Sequence, residues 1–436
     1  MNPVKVGLLG LGTVGGGTIN VLRKNAMEIA RRAGRGIEVS HGAARNLDAP
    51  RICSTEGIQL TTDPKHVVDE PEVQIVVELI GGTELARELV LRAIQNGKHV
   101  VTANKALIAL HGNEIFAAAH RKGVMVAFEA AVAGGIPIIK AIREGLAGNE
   151  IKLVAGIING TSNFILSEMC DKGRDFSDVL QEAQAKGYAE ADPSFDVDGI
   201  DAAHKLTILA SIAFGIPLQY ERVYIEGISH ITREYVSYAA ELVYRIKHLG
   251  IARRRREGIE LRVHPTLIPH RRLIANVDGV MNAVLVQGDA VGSTLYYGPG
   301  AGSGPTASAV VADLVDVVRT LTADPENRVP HLAFQQDALS DLPILPMEAV
   351  DTAYYLRMLA NDRPGVLADV TRILGDLGIS IEAIIQKEPA PDASDVPIIM
   401  LTHVVREQQM SDAIRHIEAL RSIAGSIARI RVETLD

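Results

Sequence analysis

The stretch Val4-Lys5-Val6-Gly7-Leu8-Leu9-Gly10-Leu11-Gly12-Thr13-Val14-Gly15 decides the fold. Its first six residues form an apolar run of strand length, and after the glycines Val14, Ile19, Val21 and Leu22 take up helical spacing. Strand, glycine turn and helix in that order make the dinucleotide fingerprint. The first glycine allows the tight turn, the second lets backbone approach a pyrophosphate, and the third lets helix pack on strand. The free amides of the helix N-terminus add partial positive charge for the phosphates. A GxGxxG alone is weak; its place at the head of a βαβ series carries the inference.

Working outward, buried-strand candidates recur at Ile37 to Ala44, Val73 to Ile80, Lys98 to Thr102 and Val124 to Phe128, with helical stretches at Glu84 to Asn96 and Ala106 to Lys122. Such alternation implies an α/β, Rossmann-type doubly wound parallel sheet, here assigned to residues 1–135. Beyond Gly134-Gly135 the texture changes to long helices and acidic loops, with strands expected at Ile151 to Ile158 and within Gly279 to Gln287. This reads as a mixed α+β substrate-binding and dimerisation domain over 136–304. The glycine-rich passage from Tyr297 to Ala307 opens a helix through Thr320, and a helical return to the first domain is expected over about 305–345. Pro330, Pro343 and Pro346 mark a linker. From Thr352 the pattern restarts as βαββαβ, giving a third, ferredoxin-like domain over 351–436 that reads as an independent module.

The chain has 436 residues, 47% hydrophobic and 22% charged, with a net charge of -9. A nucleic-acid or anionic-membrane partner would need a concentrated basic surface, and the lone basic run, Arg253 to Arg256, reads as a solvated turn. No apolar run reaches the ~18 residues of a membrane span. The two cysteines, Cys53 and Cys170, have no metal or disulfide spacing, and the start of the chain has no signal-peptide pattern, so a reducing, cytoplasmic compartment is expected.

Four passages bear on the chemistry. The second strand ends Ala43-Ala44-Arg45-Asn46, with a cation rather than the carboxylate that holds a ribose 2'-hydroxyl, which favours NADP over NAD; a purely superficial Arg45 is the alternative. The run from Lys186 to Lys205 holds Glu190, Asp192, Asp196, Asp198 and Asp201, whose mutual repulsion calls for a cation among them. Asp201 and Lys205, four apart at the head of an apolar helix, share a face, although an ordinary helical ion pair has the same spacing. Lys105, in Thr102-Ala103-Asn104-Lys105, follows a strand at the carboxyl edge where doubly wound sheets bind ligands. Phe128-Glu129-Ala130-Ala131-Val132-Ala133-Gly134-Gly135-Ile136-Pro137 has few side-chain donors and offers backbone carbonyls instead.

These segments, with Gly156 to Asn163, resemble those of homoserine dehydrogenases in the same order along the whole chain, one branch of that family ending in an ACT domain of the βαββαβ type. The resemblance implies NAD(P)H-dependent interconversion of L-aspartate 4-semialdehyde and L-homoserine. It implies that Lys205 protonates the aldehyde oxygen with Asp201 orienting it, that Lys105 lies between cofactor and substrate, and that Glu190 binds the substrate ammonium and Asp196 the substrate region. Leu11, Thr13, Val14 and Gly302 match cofactor-contact positions beside Gly10, Gly12 and Gly15. Glu129, Val132, Gly134 and Ile136 match a site for a monovalent cation, usually sodium, held mostly by main-chain oxygens; Ala133 and Gly134 depart from the small-residue order of some members. The resemblance further implies a homodimer or homotetramer. It also implies capture of an amino-acid effector, with threonine favoured, near Asn361, Asp362, Gly365 and Ile379; retention of the ACT domain for assembly alone is the alternative.

Aspartate-semialdehyde dehydrogenases act on the same metabolite but need a nucleophilic cysteine, and neither Cys53 nor Cys170 lies at a suitable turn. A non-enzymatic amino-acid sensor would have no use for Asp201 and Lys205.

Overall fold

The computed structural model describes residues 2–321, 328–386 and 395–435. Six strands, β1 (Val4–Leu9), β2 (Ile37–Ala43), β3 (Gln59–Thr61), β4 (Ile75–Glu78), β5 (His99–Thr102) and β6 (Val126–Ala127), form a parallel sheet in the order 3-2-1-4-5-6. That is the doubly wound dinucleotide order, with its switch point between β1 and β4. Because helices cover both faces, β4 and β5 are buried throughout, with apolar centres and the polar residues Glu78, His99 and Thr102 at their ends. Alternate residues serve opposite faces: Leu8 packs with Ile19, Leu22, Val310 and Leu314 on one side, and Leu9 with Leu89, Ala93 and Leu107 on the other. The helix Ser303–Thr320 thus packs on the first sheet. The helical return does not extend to 345: among the described residues from 328 onward there is only the 3-10 turn Gln336–Ala338 before that point, in keeping with the prolines there.

The second sheet contains β7 (Ile151–Ile157), β8 (Tyr224–Ile225), β9 (Tyr244–Arg254), β10 (Ile259–Pro269), β11 (Met281–Gly288) and β12 (Gly292–Pro299), in the order 12-11-7-9-10 with β8 beside β10. The sequence reading finds β7 and β11 but misses β9 and β10, the longest of the set. Every residue of β10 is buried although it includes Glu260, Arg262, His264 and two prolines. Their partners lie partly in the strand and partly outside it: Arg262 Nη2 meets Glu260 at 3.1 Å and also Glu433, and Arg255 Nε meets Glu260 at 2.6 Å. The Arg253 to Arg256 run is thus not a solvated turn; Arg253 and Arg254 lie in β9, and Arg256 alone of the four is exposed.

The C-terminal domain has β13 (Asp351–Asn361), β14 (Ile381–Gln386), β15 (Asp395–Thr402), β16 (Val405–Arg406) and β17 (Ile423–Val432), with helices Val366–Asp376 and Glu407–Glu418, so the expected βαββαβ order is present. The expected Pro/Asp/Ser loop falls on 387–394, outside the described residues. One sheet face is covered by its own helices through Val370, Leu374, Met410 and Ile417. The other shares a core with the middle domain, where Tyr355, Ile399 and Ile430 pack with Phe164, Met169 and Val236. β17 also pairs in parallel with β10, Thr266 opposite Arg431 and Leu267 opposite Val432, so the two sheets are one. The expectation of independence fails on this point: a proline linker separates the domain in sequence, not in space.

Candidate functional site

The glycine turn at the carboxyl end of β1 has one tight side and one open side. Gly10 has φ 100°, and a Cβ there would stand 2.6 Å from the Leu79 carbonyl oxygen. A Cβ on Gly15 would stand 2.1 Å from the Gly10 oxygen, whereas one on Gly12 would meet nothing within 4 Å. Smooth backbone at Gly12 thus faces open space at the N-terminus of Thr13–Lys24, which has neither a side-chain cap nor an acid in its first turn. The helix Ser303–Thr320 also starts there uncapped, Gly302 having φ 125° and Ser303 Oγ donating to the Thr13 carbonyl at 3.0 Å. Two N-termini with free amides beside an open glycine fit a pyrophosphate. Leu11 is buried, Val14 half-buried and Thr13 exposed at this turn. Arg45 is exposed just past β2 and has no partner among the described residues.

At the same edge, one buried carboxylate gathers two lysines. The helix Ile200–Phe214 starts at Gly199, φ 88°, and places Asp201 and Lys205 one turn apart. Lys205 Nζ donates to Asp201 Oδ2 and to the Ile158 carbonyl, both at 2.7 Å, and Lys105 Nζ lies 2.8 Å from Asp201 Oδ1. Asn159 Nδ2 donates to Asp201 Oδ2 at 2.8 Å and to Asp196 Oδ1 at 2.7 Å. Burial opposes the charge of Asp201, but Lys205 and Lys105 outweigh it and hold the carboxyl well below its usual range. The two amines then differ. Burial lowers the Lys205 pKa, with Lys105 repelling and Asp201 opposing; burial also works against Lys105, yet Asp201, Asp196 and Glu190 leave it raised.

Lys105 is fixed from behind. It opens the helix Lys105–Lys122, capped by Asn104 Oδ1, which accepts from Leu107 N at 3.1 Å. Thr102 Oγ1 accepts from Asn104 N at 3.0 Å and donates to the buried Glu78 at 2.6 Å. Glu190 is exposed in the acidic loop, near enough to act on Lys105. The acidic run therefore comes together around lysines at Glu190, Asp196 and Asp201, while Asp192 turns away to bind Ser194.

Glu129 spends its carboxylate on the amides of Ile139 and Lys140, at 2.9 and 2.8 Å, and burial pushes its pKa up to about 7. Val132, Gly134 and Ile136 follow in a buried turn, though Gly134's own surface is packed so closely that a Cβ would be 3.0 Å from the Gly300 oxygen. Among the described residues no three His, Cys, Asp or Glu side chains gather to hold a metal, so a cation at this segment would rely on main-chain oxygens. In the C-terminal domain a cavity of about 450 Å³ is lined by Arg363 to Val366, Asp369 and Leu420 to Ser422. Gly365 lines it, with φ 95°; Asn361 and Asp362 precede it in the turn, Asn361 Nδ2 donating to Asp395 at 2.6 Å. Ile379 is not brought there: it is buried, and its amide donates to the Leu374 carbonyl.

Sequence reasoning singles out neither Asn159 nor His204. Asn159 joins the two aspartates and caps the helix Gly160–Lys172 through Ser162 N at 2.8 Å; an asparagine before Gly160-Thr161 is the available signal. His204 lies between Phe195 and Tyr220, with ring centroids 5.7 and 4.4 Å away, and burial lowers its pKa to about 4.

A doubly wound dinucleotide fold with an open glycine cradle and a lysine-aspartate-lysine cluster at one sheet edge defines an NAD(P)-dependent oxidoreductase. Family models agree: homoserine dehydrogenase, NAD binding domain, matches residues 10–129, homoserine dehydrogenase 137–315 and the ACT domain 354–422. The chain belongs to the homoserine dehydrogenase family. It is 69% identical to homoserine dehydrogenase of Pseudomonas aeruginosa over 100% of both chains, and 41% identical to that of Corynebacterium glutamicum over 99% of this chain and 96% of the other. A solved homoserine dehydrogenase from Thiobacillus denitrificans matches with TM-score 0.95 and 70% identity over 100% of this chain and 99% of that one. A hyperthermophilic archaeal homoserine dehydrogenase in complex with NADPH matches with TM-score 0.60 and 26% identity over 72% of this chain and 97% of its own. No helix among the described residues is long and apolar enough to cross a membrane.

Proposed function

We propose that the protein interconverts L-aspartate 4-semialdehyde and L-homoserine with NADP(H) preferred, serving threonine, isoleucine and methionine biosynthesis. The observation that carries this reading is the buried Asp201 carboxylate bridging Lys205 and Lys105 at the carboxyl edge of the sheet. A bound nicotinamide supplies the hydride that reduces the aldehyde carbon. Lys205 delivers the proton to the aldehyde oxygen, a general-acid contribution of about 10²- to 10⁴-fold. Its lowered pKa suits that task, and Asp201 aims the amine. Lys105 keeps its charge and stabilises the oxygen as negative charge develops. Glu190 accepts the substrate ammonium, and Asp196, fixed by Asn159, lines the substrate region. Gly10, Gly12, Gly15, Leu11, Thr13, Val14 and Gly302 hold the dinucleotide, and Arg45 meets the 2'-phosphate; its free guanidinium supports that role. A sodium ion would be held, mostly by main-chain oxygens, at Glu129, Val132, Gly134 and Ile136. Threonine enters the cavity beside Gly365 and lowers turnover.

Following NADPH and NADH absorbance with aspartate semialdehyde tests the reading: turnover is expected with both, faster at low concentration with NADPH, and inhibition by millimolar threonine. Absence of turnover with either cofactor would favour a non-enzymatic sensor. Indifference to threonine would leave the C-terminal domain to assembly.

A further inference from the structure

The second half of the joined sheet reaches the catalytic carboxylates through a short series of direct contacts. Arg431 of β17 is fully buried. Its Nε and Nη2 donate to the two Glu407 oxygens at 2.9 and 2.7 Å, and its Nη1 donates to Glu226 Oε2 at 2.7 Å. Glu226 belongs to the middle domain, just after β8; Tyr224 Oη donates to the same Oε2 at 2.9 Å while its ring lies 5.0 Å from the Arg431 guanidinium. The next residues touch the acidic loop by backbone alone. A Cβ on Gly227 would lie 2.6 Å from the Val197 carbonyl oxygen, and Ile228 N donates to that oxygen at 2.8 Å. Val197 follows Asp196, and Gly199, against which the His248 ring packs, begins the helix bearing Asp201 and Lys205. His248 in turn bonds the Glu226 carbonyl at 3.0 Å.

Glu226 is therefore clamped on its side chain by the C-terminal domain, while its own carbonyl and the two residues after it press on both ends of the segment from Val197 to Gly199. We propose that Arg431 and Glu226 are positioning residues, setting the 196–201 backbone so that Asp196 and Asp201 face the substrate and Lys205 at the right distance. This deepens the reading of Asp196, Asp201 and Lys205 given above and rests on it. The physical ground is the intolerance of the reaction to misplacement: about 1 Å can cost about 10²-fold in rate.

Glu226 is the better site for the test, because Glu226→Ala leaves Arg431 paired with Glu407. It should lower kcat about 10-fold while changing the NADPH KM by less than about twofold. Glu226→Gln keeps an oxygen for Arg431 and Tyr224 and should recover most of the lost kcat. Arg429→Gln serves as a control: Arg429 meets Glu407 at 2.9 Å and contacts neither Glu226 nor the loop, so kcat should stay near wild type. Unchanged kcat in Glu226→Ala, failure of the Gln variant to recover, or an equal loss in Arg429→Gln would overturn the proposal. Lys205→Met measured alongside separates the two levels: if it stays active the assignment of the site falls, whereas an inactive Lys205→Met with a fully active Glu226→Ala removes only the positioning role.

Discussion

Glu433→Gln should show how strongly the C-terminal strand is tied to the middle sheet. Glu433 is buried at the end of β17, donated to by Arg253 Nη2 at 2.7 Å and by Arg262 Nη2, and Arg262 is itself fully buried. Burial alone would raise its pKa, but Arg262 and Arg253 pull it from 4.5 to about 2. At about 1.4 kcal/mol per pKa unit, that gap corresponds to ~3 kcal/mol of folding stability. Breaking a buried pair by removing one charge costs ~3 to 5 kcal/mol, so the two routes agree. Because the folded pKa is depressed, the stabilisation is complete above about 4.5 and is lost as pH falls toward about 2. Glutamine keeps the volume and removes the charge. In thermal unfolding at pH 7 the variant should melt roughly 3–6 °C below wild type, and the difference should narrow as the buffer is taken from pH 4.5 to pH 3. A variant melting with wild type at pH 7, or an equal gap at pH 3, would refute the reasoning.

Arg45→Ala should raise the NADPH KM by about 10- to 150-fold, the equivalent of a charged hydrogen bond worth ~1.5 to 3 kcal/mol, and leave NADH nearly unaffected; equal changes with both cofactors would mean that Arg45 does not read the phosphate. Gly12→Ala should leave the melting temperature unchanged, since its Cβ meets no protein atom within 4 Å, yet weaken NADPH binding measured by fluorescence titration. Gly15→Ala should lower both, because its Cβ would fall 2.1 Å from the Gly10 oxygen; equal behaviour of the two variants would contradict the division between an open and a packed glycine.

The first domain is legible because its strands are buried on both faces: β1, β4 and β5 are short, mostly apolar strands in which Lys5, Glu78, His99 and Thr102 are the exceptions, and Gly10 to Gly15 gives the sequel of β1. β3, three residues with a polar one at each end, offers no pattern. β10 is hidden for the opposite reason, since charges such as Glu260 and Arg262 suggest exposure until Arg253 and Arg255 of the neighbouring hairpin arm and Glu433 from the far end of the chain pair with them. The same long-range pairing conceals the union of the two sheets. At the site, the four-residue spacing of Asp201 and Lys205 was readable, but the convergence of Lys105 on the same carboxylate depends on β5 ending beside a helix nearly a hundred positions later. Asn159, too, acts through folded geometry, with one amide group reaching two aspartates.

Lys205→Met is the most direct test of the catalytic assignment, with kcat for aspartate semialdehyde reduction and the NADPH dissociation constant measured on the same preparation. Lys205 donates its hydrogen bonds to Asp201 and to the Ile158 carbonyl, both in the second domain, so methionine should leave the dinucleotide cradle alone. The account predicts a fall in kcat of at least about 10²-fold with NADPH affinity within about twofold of wild type. A variant turning over within a few-fold of wild type would contradict it and reduce Asp201 and Lys205 to an ordinary buried ion pair.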